Sequence, residues 1–216
     1  MSRPTLSEPL DNCSHCPRLV ELRHTLQLEH PSWFNAPVPA FGDPKAALLI
    51  VGLAPGLNGA NRTGRPFTGD WAGDLLYGTL DKLGLSSGTY DQHLDDGLQL
   101  KGCLITNAVR CLPPQNKPVG AEINNCRPFL KEQISEMTTL KVIFALGKIA
   151  HDSVVRTIGA KLKDHSFGHG AVHHFEEGPV LVDSYHCSRY NTNTRRLTPE
   201  MFEDAMGLAK KLAGLY

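Results

Sequence analysis

Four short apolar runs alternate with longer segments in which apolar residues recur every three or four positions. The runs are AALLIV at 46–51, CLITNAV at 103–109, LKVIFAL at 140–146 and PVLVDSY at 179–185, and each is typical of a buried strand. The amphipathic segments predict helices at 11–28, from Asp70 to about 83, and at 120–137, 148–158 and 199–212. Pro128 predicts a kink or break in the third of these helices.

Strands that alternate with helices predict a parallel sheet covered by helices on both faces. We therefore expect an α/β protein, a three-layer α/β/α sandwich formed by one domain over residues 1–216. Ligands bind such sheets at the carboxyl ends of the strands. Three polar features follow strands and converge on this edge: the loop after Val51, Asn107, and the loop after Tyr185. Their convergence predicts one active site.

Composition narrows the class of protein without identifying a function. Of 216 residues, 41% are apolar and 20% are charged, which is typical of a soluble globular enzyme. Lys and Arg number 22, as do Asp and Glu, so a nucleic-acid surface has to be a local patch. The chain has no signal-peptide pattern and no run of about 20 apolar residues, so we expect a cytoplasmic protein with no membrane partner.

The six cysteines are expected to be metal ligands or buried thiols, because disulfides are rare in a reducing compartment. Four of them form a candidate ligand set, a close pair followed much later by two more: Cys13, Cys16, Cys111 and Cys126. Their spacing leaves zinc, an iron–sulfur centre and inert thiols open. Cys103 lies in an apolar strand and is expected in the core, whereas Cys187 is expected to be exposed.

A glycine-rich loop, GLAPGLNGANRTGRPFTGD at 52–70, follows the first strand. It is neither a P-loop nor a GxGxxG fingerprint, but its glycines permit close approach of a ligand. It brings an aromatic ring (Phe67), a carboxylate (Asp70) and two cations (Arg62 and Arg65) to the sheet edge, which suits a planar base and a developing positive charge. The structural alternative places Phe67 in the core and makes Asp70 only a helix cap.

The loop at 185–199, YHCSRYNTNTRRLTP, carries His186 directly after a strand. A neutral imidazole there can donate a hydrogen bond to a leaving group. Three arginines in this loop predict phosphate contacts: Arg189, Arg195 and Arg196. A further cluster consists of His165, His169, His173 and His174. We expect no metal there, because the cluster has no carboxylate and no tight ligand spacing.

Together these segments resemble the uracil-DNA glycosylase superfamily, and within it the type-5 (UDGb) branch. The resemblance runs from Cys13 to Thr198 and includes GLAPG continuing as NRTGRPFTGD, TNAVRCLPPQNKP followed by CRPFL, and HCSRYNTNTRRLT. The related type-4 branch carries GEAPG and a following glutamate that this loop lacks. Two positions depart from the family: Cys187 stands where proline is usual, and Arg195 where glycine is common.

The resemblance implies a four-stranded parallel sheet and an enzyme of DNA base excision repair. Such an enzyme is a DNA N-glycosylase that flips uracil, or a bulkier deaminated base such as hypoxanthine, out of DNA and hydrolyses its bond to the sugar. The resemblance also implies a 4Fe–4S cluster bound by Cys13, Cys16, Cys111 and Cys126. The expected partner is DNA that contains these bases, and we expect the protein to be a monomer.

By the same resemblance, Asp70 is expected to activate water or to stabilise the sugar cation, and His186 to donate a hydrogen bond to the departing base. Asn107 is expected to recognise the Watson–Crick edge of the base, and Phe67 to stack on it. The expected pocket lining comes from Gly52, Ala54, Pro55 and Gly56. The expected DNA contacts come from Arg62, Arg65, Ser188, Arg189 and Arg195.

Other classes of protein fit parts of the sequence. A non-catalytic iron–sulfur protein that binds nucleic acid would bind uracil-containing DNA but release no base. An electron-transfer iron–sulfur protein would explain the cysteines but not the two polar loops. A third possibility keeps the enzyme class and changes the substrate to another N-glycosidic bond of a nucleobase or nucleotide.

Overall fold

The computed structural model describes residues 7–216 and contains a six-stranded sheet with a separate two-stranded ribbon. The strands are β1 (Phe41–Gly42), β2 (Leu48–Gly52), β3 (Ser86–Ser87), β4 (Gln99–Leu100), β5 (Cys103–Asn107), β6 (Val142–Leu146), β7 (Val172–His173) and β8 (Val180–Ser184). The helices are α1 (Pro17–Glu29), α2 (Ala60–Thr63), α3 (Trp71–Lys82), α4 (Gly120–Glu136), α5 (Lys148–Ile158), α6 (Arg189–Asn193) and α7 (Pro199–Ala213).

The main sheet has the strand order β1-β5-β2-β6-β8-β7. Its four inner strands are parallel and coincide with the four apolar runs, so the α/β class and the parallel sheet are confirmed. The expected number of four strands is wrong, because β1 and β7 add antiparallel edges. Each of these edge strands has only two residues, too few to produce a periodic pattern in the sequence.

Alternate residues of the inner strands face the two helical layers, as a strand period of two requires. One core cluster joins Ile50 and Phe144 to α3 and α7, and includes Leu76 and Phe202. The opposite cluster joins the neighbouring strand positions to α4 and α5, and includes Leu130 and Val154. The sheet therefore lies between two helical layers, which is the predicted sandwich.

Two helices differ from the predictions, one at its start and one in its interior. The first helix begins at Pro17 rather than near 11, and proline is well suited to the first turn because it has no N–H to leave unpaired. α4 continues through Pro128 without the predicted break. Pro128 is exposed, so its ring projects into solvent while the helix continues.

The carboxyl ends of β2, β5, β6 and β8 lie at one edge of the sheet, at Gly52, Asn107, Leu146 and Ser184. The residues that follow these strands therefore share one surface. Within residues 7–216, no helix has both the length and the apolar character needed to cross a membrane.

Candidate active site and cysteine cavity

A cavity of about 610 Å³ opens at the carboxyl edge of the sheet. It is bounded by the glycine-rich loop, the end of β5, the turn after β6 and the loop after β8. The predicted residues that line it are Ala54, Pro55, Gly56, Phe67, Asp70, Asn107, His186, Ser188 and Arg189. The three loops thus converge on one space, as the strand order requires.

Asp70 is both a helix cap and a wall of the cavity. Its Oδ1 accepts a hydrogen bond from the backbone N–H of Gly73 at 3.1 Å, which caps α3. Its Oδ2 faces the glycine-rich loop, because a Cβ added at Gly59 would lie 2.5 Å from that oxygen and one at Gly56 3.1 Å away. Burial raises the pKa of Asp70, and backbone hydrogen bonds oppose the shift. The cap fixes the carboxylate with one oxygen turned away from the helix.

Asn107 ends β5 with its side chain buried against Gly52. Its Oδ1 has no hydrogen-bond partner among the described residues. A Cβ at Gly52 would lie 2.3 Å from this oxygen and 2.5 Å from Cζ of Phe67, so only glycine leaves room for both side chains. A buried amide oxygen without a partner is costly unless a ligand or water satisfies it.

Phe67 closes the cavity from the loop side and has a left-handed backbone, with φ of 54°. This conformation is unusual for a bulky residue and is held by neighbours. Its carbonyl accepts from the Tyr90 hydroxyl at 3.2 Å, and that of Pro66 accepts from Tyr77 at 2.6 Å. The Phe67 ring lies 6.0 Å from the His186 ring between centroids.

His186 follows β8 and also lines the cavity. Its backbone carbonyl accepts from the Asn191 side chain at 2.8 Å, which holds the turn. Desolvation lowers the pKa of His186 to about 4, so the ring is neutral at ordinary pH. A neutral imidazole next to the cavity can donate a hydrogen bond without carrying charge into it.

Arg65 was expected to contact DNA, but its side chain is buried in an ion pair instead of lying on the surface. Its side chain is 1% exposed and makes two hydrogen bonds to Asp96, at 2.8 and 2.6 Å. The guanidinium lies 5.0 Å from the ring centroid of Phe41 and 5.5 Å from that of Tyr77. No local sequence pattern indicates this pair, because its members lie 31 positions apart. Arg65 instead anchors the glycine-rich loop.

The other expected DNA contacts lie on the surface near the cavity. Arg62 and Arg195 are exposed, and the guanidinium of Arg189 lies 5.2 Å above the ring of Trp71. Ser188 caps α6 by accepting from the backbone of Asn191 at 3.4 Å. These positions leave the three arginines available to solvent.

Sequence reasoning missed Trp71 and Lys148, which also line the cavity. Trp71 is 45% exposed, and its indole N–H donates to Thr192 Oγ1 at 3.0 Å. A tryptophan directly after the predicted helix cap is a sequence signal that could have found it. Lys148 begins α5, directly after the turn that follows the inner strand β6, and its place after a parallel strand is the signal that could have found it.

Cys187 is fully buried, so its expected exposure is wrong. Its thiol packs beneath the first turn of α3 and donates to the Ala72 carbonyl at 3.4 Å. Cys103 lies in the core, as predicted.

A second, small cavity is lined by all four candidate ligands, Cys13, Cys16, Cys111 and Cys126. They come from the turn before α1, the N-cap of α1, the loop after β5, and α4. Apolar side chains surround them, among them Leu19, Val109 and Phe129. Two N–H groups point at sulfur: the Arg110 backbone lies 3.4 Å from Cys126, and the Asn125 amide 3.8 Å from Cys16.

The four cysteine sulfurs lie farther apart than the ligand atoms of a single tetrahedral zinc ion. Ligand atoms of one zinc lie less than about 4 Å apart, given Zn–S bonds of about 2.3 Å in a tetrahedron. Within residues 7–216, only His151, His173 and Asp183 bring three such ligand atoms within 4.8 Å of one another. The four sulfurs are therefore spread around a larger space, and N–H donors to sulfur are typical of iron–sulfur sites.

The histidine cluster was expected to lack a carboxylate, and this is wrong because β8 supplies Asp183. Asp183 Oδ1 lies 2.8 Å from His151 Nδ1, and Oδ2 lies 2.9 Å from His173 Nε2. The other ring nitrogen of His151 lies 2.9 Å from the His165 carbonyl. Each ligand atom thus already has a hydrogen-bond partner within the protein.

Comparisons with known proteins give one consistent family for this chain. A family model described as the uracil DNA glycosylase superfamily matches residues 39–209. The chain is 43% identical to the type-5 uracil-DNA glycosylase of Thermus thermophilus, over 100% of both chains. It is 41% identical to that of Mycobacterium leprae, over 99% of this chain and 97% of the relative. The type-4 uracil-DNA glycosylase of Sulfurisphaera tokodaii is 33% identical, over 80% of this chain and 74% of its own.

Proposed function

Because the chain belongs to the uracil-DNA glycosylase superfamily, we propose that it hydrolyses the N-glycosidic bond of uracil in DNA and leaves an abasic site. The predicted type-5 resemblance and the enzyme class, a DNA glycosylase, are confirmed by relatives of 40–43% identity over nearly the whole chain. The observation that carries the substrate proposal is the unpartnered, buried Oδ1 of Asn107 beside the ring of Phe67.

Base flipping is the second part of the proposal. A base stacked in a duplex is out of reach, and extracting it costs a few kcal/mol, least for a mismatched base. The 610 Å³ cavity is large enough for one nucleoside, and the Phe67 ring offers a stacking face. The Asn107 amide would pair with the base edge and so satisfy its buried oxygen.

The proposed chemistry follows from two of the ionisable groups that line the cavity, Asp70 and His186. Asp70 Oδ2 would accept a proton from water as the water oxygen forms a bond to the sugar C1′. The C1′–N bond breaks, and its electron pair leaves with the base. His186, neutral and protonated on one nitrogen, would donate a hydrogen bond to the base oxygen on which negative charge develops. The Asp70 carboxylate also faces the positive charge that develops on the sugar.

The wider substrate range is also a proposal, and it covers deaminated bases larger than uracil, such as hypoxanthine. Small residues of the glycine-rich loop, Ala54 and Gly56 among them, form part of the cavity lining. Small residues at these positions leave more space for a second ring than bulky ones would. For DNA binding we assign phosphate contacts to the exposed arginines Arg62, Arg189 and Arg195, and to the Ser188 hydroxyl.

A 4Fe–4S cluster bound by Cys13, Cys16, Cys111 and Cys126 completes the proposal. The apolar wall, the four convergent thiols and the two N–H donors fit such a group. When bound, the cluster supplies a covalent link between the N-terminal segment, the loop after β5 and α4, and no redox step. Cys111 lies four positions after Asn107, so this link also fixes the loop that leaves the active site.

The proposal is tested with purified protein and oligonucleotides that carry one uracil, hypoxanthine or xanthine. Alkali treatment converts each abasic site into a strand break, which a gel detects. We expect breaks at uracil and hypoxanthine, and none in the matched undamaged duplex. Binding of uracil-containing DNA without breaks would favour the non-catalytic alternative and overturn the proposal.

A further inference from the structure

The histidine-rich segment 165–173 has no role in the proposed chemistry, yet it packs along the strand that leads to His186. Backbone hydrogen bonds join the two: Gly170 N–H donates to the Asp183 carbonyl at 2.8 Å, and Asp183 N–H donates to Ala171 at 2.9 Å. β8 ends at Ser184, two positions before His186. The segment therefore contacts the strand at the point where it delivers a candidate catalytic side chain.

Asp183 joins three elements from a position with no solvent exposure. Its two carboxylate oxygens bind one ring nitrogen each from His151 of α5 and His173 of β7. A carbonyl oxygen only accepts, so His151 Nε2, which faces the His165 carbonyl, carries a proton. The Nδ1 of the same ring faces a carboxylate and is also a donor. His151 is thus a positively charged partner of Asp183, and both of its ring nitrogens donate hydrogen bonds within the protein.

His169 binds the next part of the chain. Its Nδ1 accepts a hydrogen bond from the backbone N–H of Tyr185 at 3.2 Å, and its ring stacks on the Tyr185 ring at 5.1 Å. The backbone of Gly147 still binds Ser184, so pairing with β6 ends there. The Tyr185 N–H is the last backbone donor before His186, and a side chain rather than a strand satisfies it.

We propose that His169 and the Asp183 group (Asp183 with His151 and His173) form a histidine clamp that positions His186. The inference rests on the proposed function, in which His186 contacts the base. The clamp fixes the backbone at 183 and 185, so the direction in which His186 leaves the strand is set before substrate binds. His169, Asp183, His151 and His173 are positioning residues, because none of them lines the cavity.

Two substitutions of His169 separate its acceptor from its bulk. The oxygen of asparagine can occupy the position of Nδ1 and keep the bond to Tyr185, whereas glutamine places its amide at the position of Nε2 and loses that bond. His174→Asn is the matched control, since His174 is exposed and directly follows this segment. The measurements are the single-turnover cleavage rate, the dissociation constant for uracil-containing DNA, and amide hydrogen exchange at Tyr185.

For His169→Gln we expect a single-turnover rate reduced about 10- to 100-fold with DNA affinity within about twofold of wild type, because misplacement by about 1 Å affects chemistry more than binding. Exchange at the Tyr185 amide should accelerate. His169→Asn should retain most of the rate and protection, and His174→Asn all of it. An unchanged rate in His169→Gln, or equal losses in the Asn and Gln variants, would overturn the clamp.

Amide exchange keeps the test separate from the proposed function. If wild type releases no base, the proposed function fails, while protection at Tyr185 in wild type and its loss in His169→Gln still decide whether the clamp exists. Metal analysis covers the other possible occupant of the Asp183 group. One zinc per chain that is lost in His173→Ala would show a metal centre there and overturn the hydrogen-bonded clamp.

Discussion

At the scale of single residues, burial shifts the pKa values of Asp70 and His186, which both line the cavity, in opposite directions. It raises the pKa of Asp70 and lowers that of His186 to about 4, so it favours the neutral form of each. An ionised Asp70 and a neutral His186 in one cavity would fill two different roles. The proposed chemistry requires that combination, a base for water and an uncharged donor for the leaving group.

Replacing Asp70 with asparagine separates its two roles. Asparagine is as good a helix cap as aspartate, so the melting temperature should stay near that of wild type. The single-turnover rate should fall by at least about 10²-fold, because the water loses its base and the sugar cation its counter-charge. Asp81→Asn, an exposed change on the same helix, should leave the rate unaltered. A near-normal rate in Asp70→Asn would remove Asp70 from the mechanism.

The low pKa of His186 has a consequence for the pH profile. Its ring protons, followed by NMR, should titrate near pH 4 and not between pH 5 and 8. As the pH falls, Asp70 should lose its charge at a pKa above the ordinary value of 3.8, and this loss defines the acid limb of the cleavage rate. In Asp70→Asn the residual rate should lack that limb. Titration of His186 near 6.5 would show that the ring is solvated.

At the scale of elements, the glycine-rich loop is held by an ion pair that no local pattern indicates. The side chains of Arg65 and Asp96 are both 1% exposed, so each charge is stabilised in its buried position by the other. The hydrogen bonds of Arg65 lower the pKa of Asp96 far below its usual range. The loop thus owes its shape to a segment 31 positions away as well as to its own glycines.

Replacing Arg65 with methionine should destabilise the protein by about 3–5 kcal/mol in urea unfolding, because it leaves the buried Asp96 carboxylate unpaired. Adding Asp96→Leu should recover part of the loss. The contrasting variant is Arg62→Met, three positions earlier and exposed. It should change stability by less than about 0.5 kcal/mol and lower the salt dependence of DNA binding by about one ion. If Arg62→Met instead destabilised the protein and Arg65→Met altered the salt dependence of DNA binding, Arg65 would be a DNA contact.

How far the elements could be predicted depends on how local their causes are. The four inner strands could be predicted because four or five consecutive buried residues in each leave a largely apolar run. The cap at Asp70 and the four cysteines were predicted from residue type and spacing. The burial of Cys187, the pairing of Arg65 and the arrival of Asp183 among the histidines were not, because each depends on a contact between distant segments.

At the scale of the whole molecule, the cysteine cavity links the N-terminal segment to the sheet. Cys13 and Cys16 precede or begin α1, while Cys111 and Cys126 belong to the body of the protein. α1 has only three buried residues: Leu19, Arg23 and Leu26. With so small a buried face, α1 should depend strongly on the proposed cluster for its attachment.

Replacing Cys111 with serine should release this attachment. We expect loss of protein-bound iron and sulfide, a lower melting temperature, and protease cleavage that begins within residues 7–30. Cys103→Ala, a buried cysteine outside the cavity, is the matched control and should keep its iron. A Cys111→Ser protein with full iron content and wild-type protease resistance would contradict the proposed cluster.

The order of the strands along the chain also determines when the cavity can form during synthesis of the protein. The cavity draws on chain positions from 53 to 191, and β8 is the last of the parallel strands to be made. A nascent chain that has emerged only as far as α5 contains Asp70 and Asn107 but not His186. In the proposed mechanism, base recognition and chemistry therefore appear together and late, once β8 has paired with β6, and a translation product that ends at α5 should release no base.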